Sequence, residues 1–202
     1  MLRLGRPSFT FLDPGRLVDG ELELVEPHKA WVDDLLAGCR HPETVRLEPD
    51  VARTHRDQII DFLTHCPRGR QRPDPAAGIV PAYHFWMRCP PGSVAPTGIV
   101  GSIALRVAET EDIELYLGHV GYNVLPPARG HRLAARATRL ILPLARRHGM
   151  RRLWVTTNPD NIASRRTIEH AGGVLVDVVS LPPAHPLRAR GESDKCRYRL
   201  DL

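Results

Sequence analysis

Acidic and apolar residues alternate over residues 21–26, the two-residue period of a strand with one face in a core. The spacing of Ala30, Leu35 and Leu36 predicts a helix over residues 27–37, and Ile59, Ile60, Phe62 and Leu63 predict a second over 51–65. Aromatic and β-branched runs predict strands at 83–88, 98–107 and 118–125. Pro126-Pro127 ends the last, because proline has no N–H to give a ladder. The longest helical pattern covers 129–148. Leu133, Ala137, Leu140, Ile141, Leu144 and Ala145 form its stripe, Pro143 interrupts it, and Gly149 supplies a stop. A strand at 152–156, a polar turn and a short helix at 163–171 follow, closed by Gly172-Gly173. Strands at 174–181 and 195–201 end the chain and are expected to pair across the loop between them.

Strands clustered centrally and at the end, with helices between, read as an α+β fold with a mostly antiparallel central sheet flanked by helices. Proline- and glycine-rich stretches at 66–81, 89–98 and 181–193 read as surface loops, since the pieces they separate are too short to fold alone. Residues 1–20 are expected to form an N-terminal extension, with Phe9 and Phe11 as docking side chains, and residues 21–202 a single domain. A length of 202 residues with 42% hydrophobic and 25% charged positions fits one soluble core. No apolar run approaches the roughly 20 residues of a membrane span, and the N-terminus lacks the apolar stretch of a signal peptide. Cys39, Cys66, Cys89 and Cys196 include no C-x-x-C pair, which speaks against a zinc knuckle, a redox dithiol or a disulfide scaffold. The expectation is a reduced, cytoplasmic protein with no metal and no membrane partner.

Charge distribution adds more than the net charge of +5: residues 129–152 hold eight arginines and no acid. An acid-free basic stretch suits an anionic ligand, either nucleic acid or a multiply phosphorylated cosubstrate. It begins where the strand at 118–125 runs through Pro126-Pro127-Ala128 into Arg129-Gly130-His131-Arg132-Leu133-Ala134 and opens a helix. The first turn of a helix carries unpaired N–H groups and the positive end of the macrodipole. An ordinary strand–turn–helix with a solvated basic face is the alternative reading of this stretch.

With these residues in view, the sequence resembles the GNAT superfamily of acyl-CoA-dependent N-acetyltransferases. Members carry Arg/Gln-x-x-Gly-x-Gly/Ala at this junction; Arg129 and Ala134 match its ends, and Arg132 replaces its central glycine. Asn158-Pro159-Asp160-Asn161-Ile162-Ala163-Ser164, with the helix and Gly172-Gly173 that follow, is similar to the family's Asn-x-x-Ala/Ser segment. The resemblance covers about residues 99–179. It implies that acetyl-CoA lies along Tyr122, Asn123 and Val124, with its pyrophosphate on Arg129, Gly130, His131, Arg132, Leu133 and Ala134, and that Asn161 orients it. A splayed strand there also polarises the thioester carbonyl.

Many relatives place a proton-donating tyrosine four residues after the Ala/Ser position, where this chain has Ile168; Ser164 is then the nearest hydroxyl. His119 is the expected general base, with an ordinary pKa of about 6.5 suited to neutral pH, and Glu114 and Tyr122 stand in reserve. The reading is an acetyltransferase moving an acetyl group to a primary amine of a small molecule or peptide by direct attack. Two other readings stand beside it. One is a degenerate GNAT fold that binds acyl-CoA without turnover, suggested by Arg132 and Ile168. The other is a nucleic-acid-associated protein using Arg132, Arg136 and Arg139 on one helix face, disfavoured by the 5% aromatic content. A homodimer is left open.

Overall fold

The computed structural model describes residues 9–202. Strands β1 (Leu17–Asp19) and β2 (Leu22–Val25) form a hairpin. Four short helices follow: α1 (Val32–Cys39), α2 (Pro42–Leu47), α3 (Pro49–Ala52) and α4 (Arg56–His65). Next come β3 (Arg70–Gln71), β4 (Ala82–Arg88), β5 (Ile99–Arg106) and β6 (Val120–Val124), then α5 (Leu133–Arg147). The chain ends with β7 (Arg152–Thr157), α6 (Ile162–His170), β8 (Val174–Ser180) and β9 (Asp194–Asp201).

Every named strand pair is antiparallel, and the strands form two sheets. One has the order β1-β2-β4-β5-β6 with β3 beside β4; the other has the order β7-β9-β8. The pairing of β8 with β9 is the one expected across the last loop. Helix α5 lies over both sheets. Its buried Leu133, Ala137, Ile141, Leu144 and Ala145 share one core with Tyr83, Phe85, Met87, Ile103 and Leu105 from the first sheet and Leu153, Tyr198 and Leu200 from the second. Burying one such Leu or Ile contributes about 1.5–3 kcal/mol, so the α5 stripe stabilises the core that the two sheets share. On the opposite face Val32, Leu36 and Ile59 from α1 and α4 cover Trp86 and Ile99.

Three expectations change. The helix predicted over 51–65 is two helices. α3 ends at Ala52, and a new capping box restarts the chain, in which the His55 N–H donates to Gln58 Oε1 at 2.8 Å. The helix predicted from Arg129 begins at Leu133, because Gly130 and Arg132 take left-handed backbone, φ 90° and 54°. Pro143 is tolerated inside α5 because it is exposed, which leaves the carbonyl one turn back open to water.

Within the expected extension, Leu17–Asp19 form the edge strand β1, and Arg136 reaches from α5 to Asp19 and Glu21 at 2.7 Å each. Phe9 stacks on His148 and Phe11 meets the edge of Tyr83. The Leu12 N–H donates to Tyr83 Oη at 2.6 Å. Residues 1–8 lie outside the described residues. No helix among the described residues is long and apolar enough to cross a membrane, and the four cysteines are buried and unpaired.

Candidate active site

The site begins where the two sheets part. At its closed end the His119 N–H donates to Trp154 O at 2.6 Å, and the Trp154 N–H donates to His119 Nδ1 at 2.8 Å. Gly118, with φ 69°, permits this approach: a Cβ there would stand 2.9 Å from the Thr156 nitrogen. Beyond this point β6 pairs with β5 and β7 with β9, so β6 and β7 diverge and, among the described residues, the second edge of β6 has no strand against it.

The divergence leaves a cleft of about 520 Å³. Tyr122, Asn123 and Val124 form one wall, Asn161, Ala163, Ser164 and Thr167 the other, and Ala128, Arg129, Gly130, Arg132, Leu133 and Ala134 its floor. On that floor the first intrahelical bond of α5 is the Arg136 N–H to Arg132 O, 3.0 Å, and no side chain caps the helix. The N–H groups of Leu133, Ala134 and Ala135 therefore have no acceptor within the helix, and the first turn carries no acid. Arg129 folds back over the cleft, its Nε donating to Val124 O at 3.0 Å and its guanidinium paired with Glu48. His131 is exposed on the same loop.

On the α6 side, Asn161 caps the helix, its Oδ1 accepting the Ser164 N–H at 3.0 Å, which leaves the amide NH₂ for other partners. Tyr122 reaches across the divergence. Its Oη lies 2.9 Å from Ser164 Oγ and donates to Ser164 O at 3.2 Å. Burial pushes the Tyr122 phenol above its ordinary pKa, so it stays protonated at neutral pH. Ile168 is 1% exposed and turned into the core, where a Cβ on Gly173 would strike it.

The structure thus brings together the candidates Tyr122, Asn123, Val124, Arg129, Gly130, Arg132, Leu133, Ala134, Asn161 and Ser164. It does not bring His119 to them. That ring is 2% exposed, bonded to β7, and burial holds its pKa below the ordinary value. The expectation of His119 as base is corrected: it is a neutral staple at the apex of the split. Glu114 lies in a π turn (Ile113–Leu117) whose Tyr116 and Leu117 wall a second cavity, of about 340 Å³. That cavity shares Tyr122, Asn161 and Ser164 with the cleft and adds Arg106, Asn158, Arg190, Glu192 and Lys195.

Sequence reasoning passed over Glu48, Thr167 and these second-cavity residues. Glu48 meets Arg129 across 81 positions with no local pattern to announce it. Arg106, a charge closing an otherwise apolar strand, was a readable signal. Of the helix-face arginines, Arg136 is committed to Asp19 and Glu21, and Arg139 donates to His170 O at 2.6 Å.

The acetyltransferase (GNAT) domain family matches residues 21–174. Among curated proteins no sequence relative matches. Solved structures share the architecture. The microcin self-immunity acetyltransferase MccE, in complex with acetyl-CoA and AMP, aligns at TM-score 0.63 and 14% identity over 91% of this chain and 94% of its own. The ribosomal alpha-N-protein acetyltransferase RimL, in complex with coenzyme A, aligns at 0.61 and 16% identity over 93% and 98%. A GNAT-family acetyltransferase from Bacillus anthracis aligns at 0.60 and 13% over 92% and 98%. Since the family match spans most of the chain and the split sheet carries the family's fold, the protein belongs to the GNAT acetyltransferases.

Proposed function

We propose that the chain moves an acetyl group from acetyl-CoA to a primary amine by direct attack. One observation carries the reading: the unpaired edge of β6 and the uncapped N-terminus of α5 open into the same cleft. An extended amide-bearing arm can add to such an edge as a strand would, and a pyrophosphate suits the free N–H groups and helix dipole beside it. The residues present therefore fit acetyl-CoA, which supplies the thioester as acyl donor. Tyr122, Asn123 and Val124 offer backbone to the pantetheine arm. Arg129, Gly130, His131, Arg132, Leu133 and Ala134 surround the pyrophosphate, and the free NH₂ of Asn161 orients the arm from α6.

As the amine nitrogen bonds to the carbonyl carbon and the carbon–sulfur bond breaks, Ser164 Oγ delivers a proton to the departing thiolate. Tyr122 Oη, 2.9 Å behind it, passes its own proton to Ser164 Oγ, and the proton that the amine nitrogen sheds goes to water and returns through water to Tyr122. RimL is named for a ribosomal-protein acceptor, and the acceptor here is taken to enter through the second cavity.

Stopped-flow turnover with a panel of small amines tests the proton route. Tyr122→Phe and Ser164→Ala are expected to lower kcat by about 10²-fold each while leaving the Kd for acetyl-CoA within about threefold. Wild-type kcat in both variants would contradict it.

A further inference from the structure

The second cavity is lined by four charged residues besides its apolar and polar walls: Arg106, Arg190, Glu192 and Lys195. Two of them cancel. Lys195, 7% exposed, pairs with Glu192 and donates to Asn158 Oδ1 at 2.7 Å. The two arginines remain. Among the described residues neither has a carboxylate within ion-pair distance, whereas most arginines packed against the domain do, among them Arg70, Arg136 and Arg197.

Arg106 is held for use. It stands at the end of β5, and NH1 donates to Gly118 O at 3.0 Å, at the apex of the split. Its guanidinium lies over Gly121, where a Cβ would stand 3.6 Å from NH1 and 3.7 Å from NH2, in ordinary van der Waals contact. Among the described residues no acceptor takes NH2 or Nε. Partial burial works against the charge, and Asp112, the carboxylate whose field reaches it, is bonded to His185 Nε2 at 2.8 Å. A half-buried guanidinium with two free donors beside a cavity is a fork for a carboxylate or phosphate. Arg190, exposed on the loop before β9, adds a second positive charge to the same space.

The geometry points to an acceptor that carries its own anion: a small primary amine bearing a carboxylate or phosphate, held by Arg106 and Arg190 with its nitrogen at the wall of Tyr122 and Ser164. The assignment rests on the acetyltransferase reading, because it takes the second cavity as the acceptor's side of that wall. A volume of about 340 Å³ suits a molecule of metabolite size.

The test compares kcat/KM, by thiol release from acetyl-CoA, for O-phosphoethanolamine against ethanolamine and for β-alanine against propylamine. The wild type is expected to favour at least one anionic partner by about tenfold or more, and the pair that shows it separates phosphate from carboxylate. Arg106→Gln is expected to bring that ratio within about threefold, and Arg106→Lys to keep part of it. Arg190→Gln, on the exposed loop, lowers the same ratio without touching the sheet and serves where Arg106→Gln fails to fold. Equal use of both partners by the wild type overturns the assignment, as does a preference that survives in Arg106→Gln and Arg190→Gln. Calorimetric titration with acetyl-CoA separates the levels. Binding without anionic preference contradicts the acceptor assignment alone; absence of binding overturns the acetyltransferase reading and the assignment with it.

Discussion

Arg132 stands at φ 54°, ψ 24°, where glycine suffers no steric penalty and an L side chain loses about 1–2 kcal/mol. The strain has a local cause. With Gly130 at φ 90°, it turns the chain sharply enough to present the N-terminus of α5 to the cleft. Arg132→Gly removes the clash and gives back part of the gain as unfolded-chain entropy, so a net stabilisation of about 0.5–1 kcal/mol is expected from denaturant unfolding. A loss of stability would show that the side chain makes contacts that outweigh its backbone. The motif around this residue was readable because its glycine and arginines are contiguous; the left-handed arginine was not, since nothing in the neighbouring residues demands it. His119 misled for the complementary reason. Its chemistry suits a base, but its partner lies 35 residues away on β7, and only the fold reveals that the ring is a staple.

At the scale of elements, the site is a consequence of one pinch and one divergence. Gly118 and His119 hold β6 against β7, and beyond them each strand turns to its own sheet. Gly118→Ala forces a Cβ to within 2.9 Å of the Thr156 nitrogen at a left-handed φ of 69°. The substitution is expected to cost at least about 2 kcal/mol of stability and to weaken acetyl-CoA binding in parallel; wild-type values for both would mean that the apex does not shape the cleft. The strands and α5 were legible because their signals are strong: alternation in β2, an aromatic run in β4, and a six-residue apolar stripe in α5. The breaks among α2, α3 and α4 were not, although Pro42 and Pro49 at first-turn positions marked two starts. No element is predicted over residues 38–50, and the polar run from Arg53 to Asp57 offers no hydrophobic period in which a cap would register.

Across the whole molecule, burial lowers the pKa of three histidines: His84 to about 4, and His119 and His148 below the ordinary value. His84 is held by desolvation first and by the nearby Arg106 charge second. All three favour the neutral ring in the folded state, so unfolding takes up protons below about pH 6.5. Stability is therefore expected to fall as pH drops from about 6.5 toward 4, read as a declining urea midpoint, and His84→Phe is expected to flatten part of that slope. A midpoint that holds steady over this range would contradict the burial argument.

The central claim is that the space between the parted sheets binds acetyl-CoA through the N-terminus of α5. Calorimetric titration of wild type and Arg132→Glu with acetyl-CoA tests it most directly, because the substitution reverses one exposed charge on the cleft floor. Saturable binding by the wild type, weakened by about tenfold or more in Arg132→Glu, is the expected result. No binding by the wild type, or equal affinity in the two proteins, would contradict the account.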